Sequence, residues 1–323
     1  MRRDSVRFGY FLSSEEFTPD ELVAQARLAE EAGFDGLWIS DHFHPWNDEQ
    51  GQSPFVWSVI GALSQVTSLP VTTAVTCPTV RTHPAIIAQA AATSAAMLGG
   101  RFVLGVGTGE ALNEHILGDV WPTVDVRLEM LEEAVQVMRE LWSGDFVSHR
   151  GRHYTVDTAR IYTLPAEPPK VYVSGFGPKA VDMAARIGDG YVATMPDPDL
   201  ISRFRDNGGG DKPAQGGTKV CYADTEDEGV KLAHRLWRNS GVPGELSQVL
   251  PSPRHFEQVS ELVTEDMTRE SVAAGPDPDT HVAAIQPFVE AGYDEVHIGN
   301  MGPNWEGFMR LYRDSVLPRL RQA

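Results

Sequence analysis

The chain has 323 residues, 41% of them hydrophobic, with 27 basic against 45 acidic side chains and a formal net charge of −18. That balance excludes a nucleic-acid or anionic-membrane surface, since both need clustered Lys and Arg. The length suits one large α/β barrel domain, and the two cysteines, Cys77 and Cys221, form no CxxC and read as reduced, buried thiols.

Strand-like and helix-like segments alternate from end to end. VRFGYFLS (6–13) is β-branched and aromatic, and TPDELVAQARLAEEAG (18–33) follows as an amphipathic helix. Thr18 is its N-cap, Pro19 its first residue, Glu21 the partner in a capping box and Gly33 its stop. GLWISDHF (36–43), PVTTAVTCP (70–78) and RFVLGVGTG (101–109) are the next strands, each followed by a helix, the last of these being RLEMLEEAVQVMRELWSG (127–144). A polar, hairpin-like insertion is expected near 145–168 and a less regular one over 241–275. KVYVSGFG, YVATMPD, GTKVCYAD (217–224) and EVHIGNMGP (295–303) complete eight β/α pairs, with GGGDKPAQGG (208–217) read as a surface loop. Short apolar strands covered by helices point to a single (β/α)8 TIM barrel with insertions rather than an open sheet. No stretch of MRRDSVRFGYFLS resembles a signal h-region and none elsewhere approaches a membrane span, so a soluble cytoplasmic protein is expected.

Barrel sites lie where strands end. Strand one ends in LSSEE, placing Glu15 or Glu16 at the mouth; strand two ends in SDHFHPW, with Asp41, His42, His44 and Trp46. Adjacent strand residues face opposite sides, so Asp41 and His42 share the mouth only if the strand breaks. GVGTGEALNE (105–114) misses the dinucleotide fingerprint because Glu110 stands at the third glycine position, but Gly107 and Thr108 leave backbone access, with Glu110 and Asn113 beside it. In SGFGPKA (174–180), Ser174, Gly175, Gly177 and Pro178 lead into a helix N-terminus suited to a phosphate. Arg81 is a rare basic group at the strand-end face, and His297 and Asn300 close strand eight, with His297 equally readable as a core histidine.

Two readings compete. His42-Phe-His44 would be the H-x-H pair of a metallohydrolase barrel, but strands five to seven offer no further histidine, so no metal is expected. An aromatic, phosphorylated cofactor at the mouth accounts for the glycines and the titratable groups together.

GYFLSSEEF, SDHFHPW, CPTVRTHPAIIAQA, GVGTGEALNE, SGFGP, ARIGDGY and DPDTHV together resemble the luciferase-like barrel oxidoreductases, and more narrowly the coenzyme F420-dependent glucose-6-phosphate dehydrogenase subgroup. The resemblance implies a homodimeric, F420-dependent dehydrogenase that moves a hydride between an alcohol-bearing carbon and the deazaflavin. It places Asp41 on the cofactor ring, His42 at the reacting carbon, Trp46 against the reaction site, Glu110 where a proton meets the ring, and Glu15 in the polar pocket. Ala74-Val75 would form the bulge under the deazaflavin, commonly a non-proline cis peptide, and Gly175 to Pro178 would seat the phosphate. Asp197, Gln258 and Ser271 stand where sugar-phosphate members carry basic residues, and only Arg254 and Arg269 are positive between 250 and 275. The expected substrate is therefore a neutral sugar or another alcohol rather than glucose 6-phosphate. A flavin mononucleotide monooxygenase is the alternative within the fold. Arg81 and Lys179 are candidates to meet the cofactor's polyanionic tail.

Overall fold

Thr18 and Gly33 bound the first helix as their chemistry dictates. The Thr18 hydroxyl accepts from the Glu21 N–H, the Glu21 carboxylate returns the bond to Thr18 N, and Gly33 takes φ 88° to end the helix Pro19–Ala32. The same grammar repeats along the chain. Pro84, Pro178, Pro198 and Pro278 each open a helix, where a missing N–H costs nothing.

The computed structural model describes residues 6–322; Met1 to Ser5 of the N-terminal segment lie outside the described residues. Its strands are β1 (Arg7–Leu12), β2 (Leu37–Ile39), β3 (Val71–Thr73), β4 (Phe102–Val106), β5 (Val147–Arg150), β6 (Thr155–Ala159), β7 (Lys170–Ser174), β8 (Gly190–Ala193), β9 (Ala214–Val220) and β10 (Glu295–Asn300). Eight of them close a parallel barrel in the order β1-β10-β9-β8-β7-β4-β3-β2. The expected TIM barrel is therefore the fold. β5 and β6 pair antiparallel outside it, as the polar insertion suggested.

Two expectations change. GGGDKPAQGG is not all loop: Ala214 to Gly217 are buried in β9. Its composition reads as loop because the interior needs small residues there. A Cβ on Gly217 would lie 2.1 Å from the Trp38 ring, and one on Gly9 would lie 2.1 Å from His297. Trp38 and His297 stack at 4.6 Å and fill the barrel centre, and the Trp38 indole donates to Gln215 at 2.8 Å. The 241–275 insertion is also more regular than its sequence suggests, with helices at Leu246–Val249, Pro253–Ser260 and Glu265–Ser271.

Both insertions reach the loops of the mouth. The Tyr154 hydroxyl, beside β6, donates to the Thr79 carbonyl at 2.9 Å, and Phe256 packs edge-on against Trp46 at 5.0 Å. Among the described residues, no helix is long and apolar enough to cross a membrane.

Candidate active site

β2 stops at Ile39, so the chain is free to turn both Asp41 and His42 into the mouth. Asn113 holds this turn. Its side-chain oxygen accepts from Phe43 N at 2.9 Å and His44 N at 3.1 Å, while its amide reaches Glu110 at 3.5 Å. Asn113, expected at the cofactor, is thus seen to hold the turn that carries His42.

His42 is held at both ring nitrogens. Nδ1 lies 3.2 Å from the His44 carbonyl, and because a carbonyl only accepts, the proton of the neutral ring sits on Nδ1. Nε2 lies 3.4 Å from the buried Glu15 carboxylate. Trp46 meets the ring edge-on at 5.1 Å. Burial pushes the Glu15 carboxyl up, but Lys219, His42 and the Ser40 hydroxyl at 2.7 Å outweigh it and hold it below its ordinary range. Of the two acids at the end of β1, Glu15 is the one that faces His42. Glu16 instead accepts from the Trp237 indole at 2.6 Å and from Gly302 N. Burial raises Glu16 to about 7, against the pull of Trp237 and Lys219.

His44 turns away from His42, its Nδ1 2.8 Å from the Leu112 carbonyl, so the two histidines do not converge as an H-x-H pair. Its contribution to the site is its backbone carbonyl. His297 is not at the mouth but in the barrel centre, where burial lowers its pKa and Glu295 opposes the shift. Asn300 is used by the backbone, accepting from Tyr222 N at 2.9 Å.

Asp41 is buried with both oxygens engaged, by Thr76 Oγ1 at 2.8 Å and by Arg81 Nη2 at 3.0 Å. Arg81 also meets Glu114, whose carboxylate accepts Arg81 N at 2.8 Å. Arg81 is therefore committed to two acids and is not free for a cofactor tail. Lys179 is likewise paired, with Asp125 at 2.8 Å. Burial drives Glu114 up to about 7, with Arg81 resisting. The folded protein thus keeps that proton to about pH 7, whereas the unfolded chain releases it near 4.5. Stability falls as pH rises through this window. Glu114→Gln should flatten that fall, so the variant-minus-parent melting difference grows between about pH 5 and pH 7.5. A difference independent of pH would place the proton elsewhere.

Across the mouth, the Ala74-Val75 peptide is cis, as expected of the bulge, and glycines make room for it. A Cβ on Gly105 would lie 1.9 Å from the Thr73 carbonyl oxygen, and one on Gly107 would lie 2.7 Å from Val75. Thr108 follows, partly exposed, and Glu110 stands at the N-cap position of the short helix Ala111–Glu114 without a side-chain cap bond. Ser174 ends β7 beside Gly107. Gly175 is required by packing, since its Cβ would meet Ala180 at 2.8 Å. Gly177 is not: its φ is −148° and nothing lies within 4 Å of the Cβ position. That opening sits at the uncapped N-terminus of the helix Pro178–Ile187, whose dipole and free N–H groups favour an anion.

A family model described as "Luciferase-like monooxygenase" matches residues 6–295. The chain belongs to this luciferase-like family. The F420-dependent glucose-6-phosphate dehydrogenase of Microbacterium testaceum is 36% identical, with 98% of each chain covered. The F420-dependent hydroxymycolic acid dehydrogenase of Mycobacterium tuberculosis is also 36% identical, over 97% of this chain and 88% of that one. A solved F420-dependent secondary alcohol dehydrogenase, in complex with an F420-acetone adduct, superposes with a TM-score of 0.89 at 33% identity, covering 98% and 99% of the two chains.

Within this luciferase-like barrel three of the positions that raised the sugar-phosphate question are engaged elsewhere. Asp197 caps the helix Pro198–Phe204, accepting from Asp199 N at 2.9 Å and Leu200 N at 3.1 Å. Arg269 is tied to Glu226 and Asp227 at 2.9 and 2.7 Å, and the Ser271 hydroxyl donates to its own helix. Sequence reasoning passed over one group, Lys219. It lies in β9 with its ammonium 3.2 Å from the Trp237 ring centre and 4.7 Å from that of Phe11. A lysine near the end of a strand that carries no other charge was the available signal.

Proposed function

We propose that this protein is a coenzyme F420-dependent oxidoreductase acting on CH–OH groups, with His42 as the proton acceptor. The observation that carries the reading is the His42 arrangement: one nitrogen fixed by the His44 carbonyl, the other beside a buried carboxylate placed to stabilise an imidazolium.

The donor set suits the cofactor. The open Gly177 position and the helix start at Pro178 would take its phosphate, Ser174 and Gly175 would flank that seat, and the Ala74-Val75 bulge with Gly107, Thr108 and Asn113 would face its ring system. Asp41 would contact the ring from the other edge. When bound, F420 supplies a two-electron acceptor for hydride. The protein supplies the rest. The substrate hydroxyl gives its proton to His42 Nε2 as the hydride leaves the same carbon. The resulting imidazolium is stabilised by Glu15, which stays anionic under the influence of Lys219 and Ser40. Trp46, braced by Phe256, walls the substrate side. Glu110 would supply the proton that the bound ring takes up with the hydride, and would take it back in the reverse direction. In the reverse direction His42 returns its proton to a carbonyl oxygen.

The substrate is a small alcohol or a neutral sugar. A phosphate dianion calls for several cations, and here Arg269 is neutralised by two acids while Asp197 adds a negative charge. Titration of the purified protein with F420 should saturate at one site per chain, with the single main visible band of a deazaflavin rather than the two of an oxidised flavin. In a panel of alcohols and sugars under those conditions, glucose 6-phosphate should be turned over at less than about a hundredth of the best substrate, a gap of about 3 kcal/mol in transition-state binding. Flavin in place of F420 sinks the cofactor reading. Efficient turnover of glucose 6-phosphate sinks the substrate reading alone. A homodimer in the cytoplasm is part of the same proposal, and the mass in solution tests the dimer.

A further inference from the structure

Lys219 is the cation at this mouth that its neighbours do not use. Along β9 the inward positions are Gln215, Gly217 and Lys219. Gln215 bonds Trp38 and Glu295 low in the barrel, Gly217 yields its space to the Trp38 ring, and Lys219 stands above them at the mouth. Its partner across the strand pair is Gly299, where a Cβ would come within 3.4 Å of the Lys219 stem and 3.3 Å of Phe11. The barrel thus makes room for this side chain on two strands.

The ammonium rests on the faces of Trp237 and Phe11. Ring faces attract a cation but leave its N–H donors unsatisfied. Among the described residues no carboxylate lies within ion-pair distance of Lys219 Nζ, and no hydrogen-bond acceptor reaches it. The two acids near enough to feel its charge are committed elsewhere, Glu15 to Ser40 and His42, Glu16 to Trp237 and Gly302. Glu15 links Lys219 to the reacting centre, being in contact with His42 and under the electrostatic influence of Lys219.

We propose that Lys219 is a specificity-determining residue that donates a hydrogen bond to a second, uncharged oxygen of the substrate, beside the one at the reacting carbon. The inference rests on the alcohol-oxidising reading above. An uncharged oxygen is the fit because Glu15 and Glu16 lie close enough to act on the ammonium electrostatically, and a substrate carboxylate would face both of them. The substrate class is therefore a vicinal diol, a polyol or a hydroxyketone, not a plain secondary alcohol and not a hydroxy acid.

The test compares propan-2-ol, butane-2,3-diol and lactate on the parent and on Lys219→Met, which keeps the stem across the two rings. The parent should favour the diol over propan-2-ol in kcat/KM by about tenfold to a hundredfold, the worth of a hydrogen bond to a charged group. In Lys219→Met that ratio should fall toward one, mainly through KM for the diol, and Lys219→Gln, which keeps a neutral donor, should lie between. A ratio unchanged in Lys219→Met overturns the proposal, as does preference for lactate over the diol in the parent. If no alcohol reduces F420, the functional reading fails, and Lys219 is then decided by binding alone. Tryptophan fluorescence, with Trp237 as the reporter, should show the parent holding the diol at least about tenfold tighter than Lys219→Met. Equal binding refutes the role.

Discussion

Replacing His42 with alanine is expected to lower turnover by about a hundredfold to ten-thousandfold, the usual contribution of a positioned acid–base group, while the F420 dissociation constant moves by less than about threefold. The asymmetry follows from where its atoms go. Nδ1 is turned to the His44 carbonyl and Nε2 to Glu15, so both nitrogens are engaged within the His42 loop and β1 end. Truncation removes the acceptor for the substrate proton and leaves Glu15 anionic without an imidazolium to stabilise. The loop itself should persist, because Asn113 bonds to Phe43 and His44, and Gln50 bonds to Trp46, all through the backbone. Steady-state turnover, F420 fluorescence titration and a melting curve separate these effects. A parallel loss of turnover and F420 affinity would demote His42 to a binding residue, and turnover within tenfold of the parent would remove it from the chemistry.

The eight barrel strands were legible because most are short apolar runs and each is followed by a helix, a pattern written most plainly in residues such as Thr18, Glu21 and Gly33. The SDHFHPW stretch was legible as a site for the same reason: the strand stops, and no surface turn needs that density of His and Trp. What escaped is tertiary. Lys219 gains its meaning from Phe11, Trp237 and Gly299, which come from two other strands and a helix. Phe256 braces Trp46 from an insertion whose polar composition hid three helices. Arg81 read as a free cation because its partners Asp41 and Glu114 are distant in sequence. The start of β9 read as a loop because the barrel interior, filled by Trp38, admits only a glycine at Gly217. Local chemistry announces elements; charge compensation and void filling do not appear until the elements close on one another.

Gly105→Ala should be the most disruptive single-methyl change in the molecule, removing about 3 kcal/mol or more of stability, above the usual range for overpacking. The added Cβ would sit 1.9 Å from the Thr73 carbonyl oxygen and 3.1 Å from its carbon. Backbone is what it strikes, and that backbone has no freedom to retreat. The Gly105 carbonyl accepts from Thr76 N at 2.8 Å and from the Thr73 hydroxyl at 2.9 Å, so β3 and β4 are laced on both sides of the clash. Relief would have to move the bulge on which the cofactor ring is proposed to rest. Soluble yield and a denaturant midpoint measure the loss. Gly177→Ala is the matched contrast, with open space around its Cβ position and an extended φ that any residue adopts. It should leave stability within about 0.5 kcal/mol of the parent, as ordinary surface substitutions do. Its expected effect is on F420 affinity, weakened about tenfold by a methyl placed in the phosphate seat. Parent-like stability in Gly105→Ala would show that the Thr73 carbonyl can swing clear, and undiminished affinity in Gly177→Ala would move the phosphate away from that helix N-terminus.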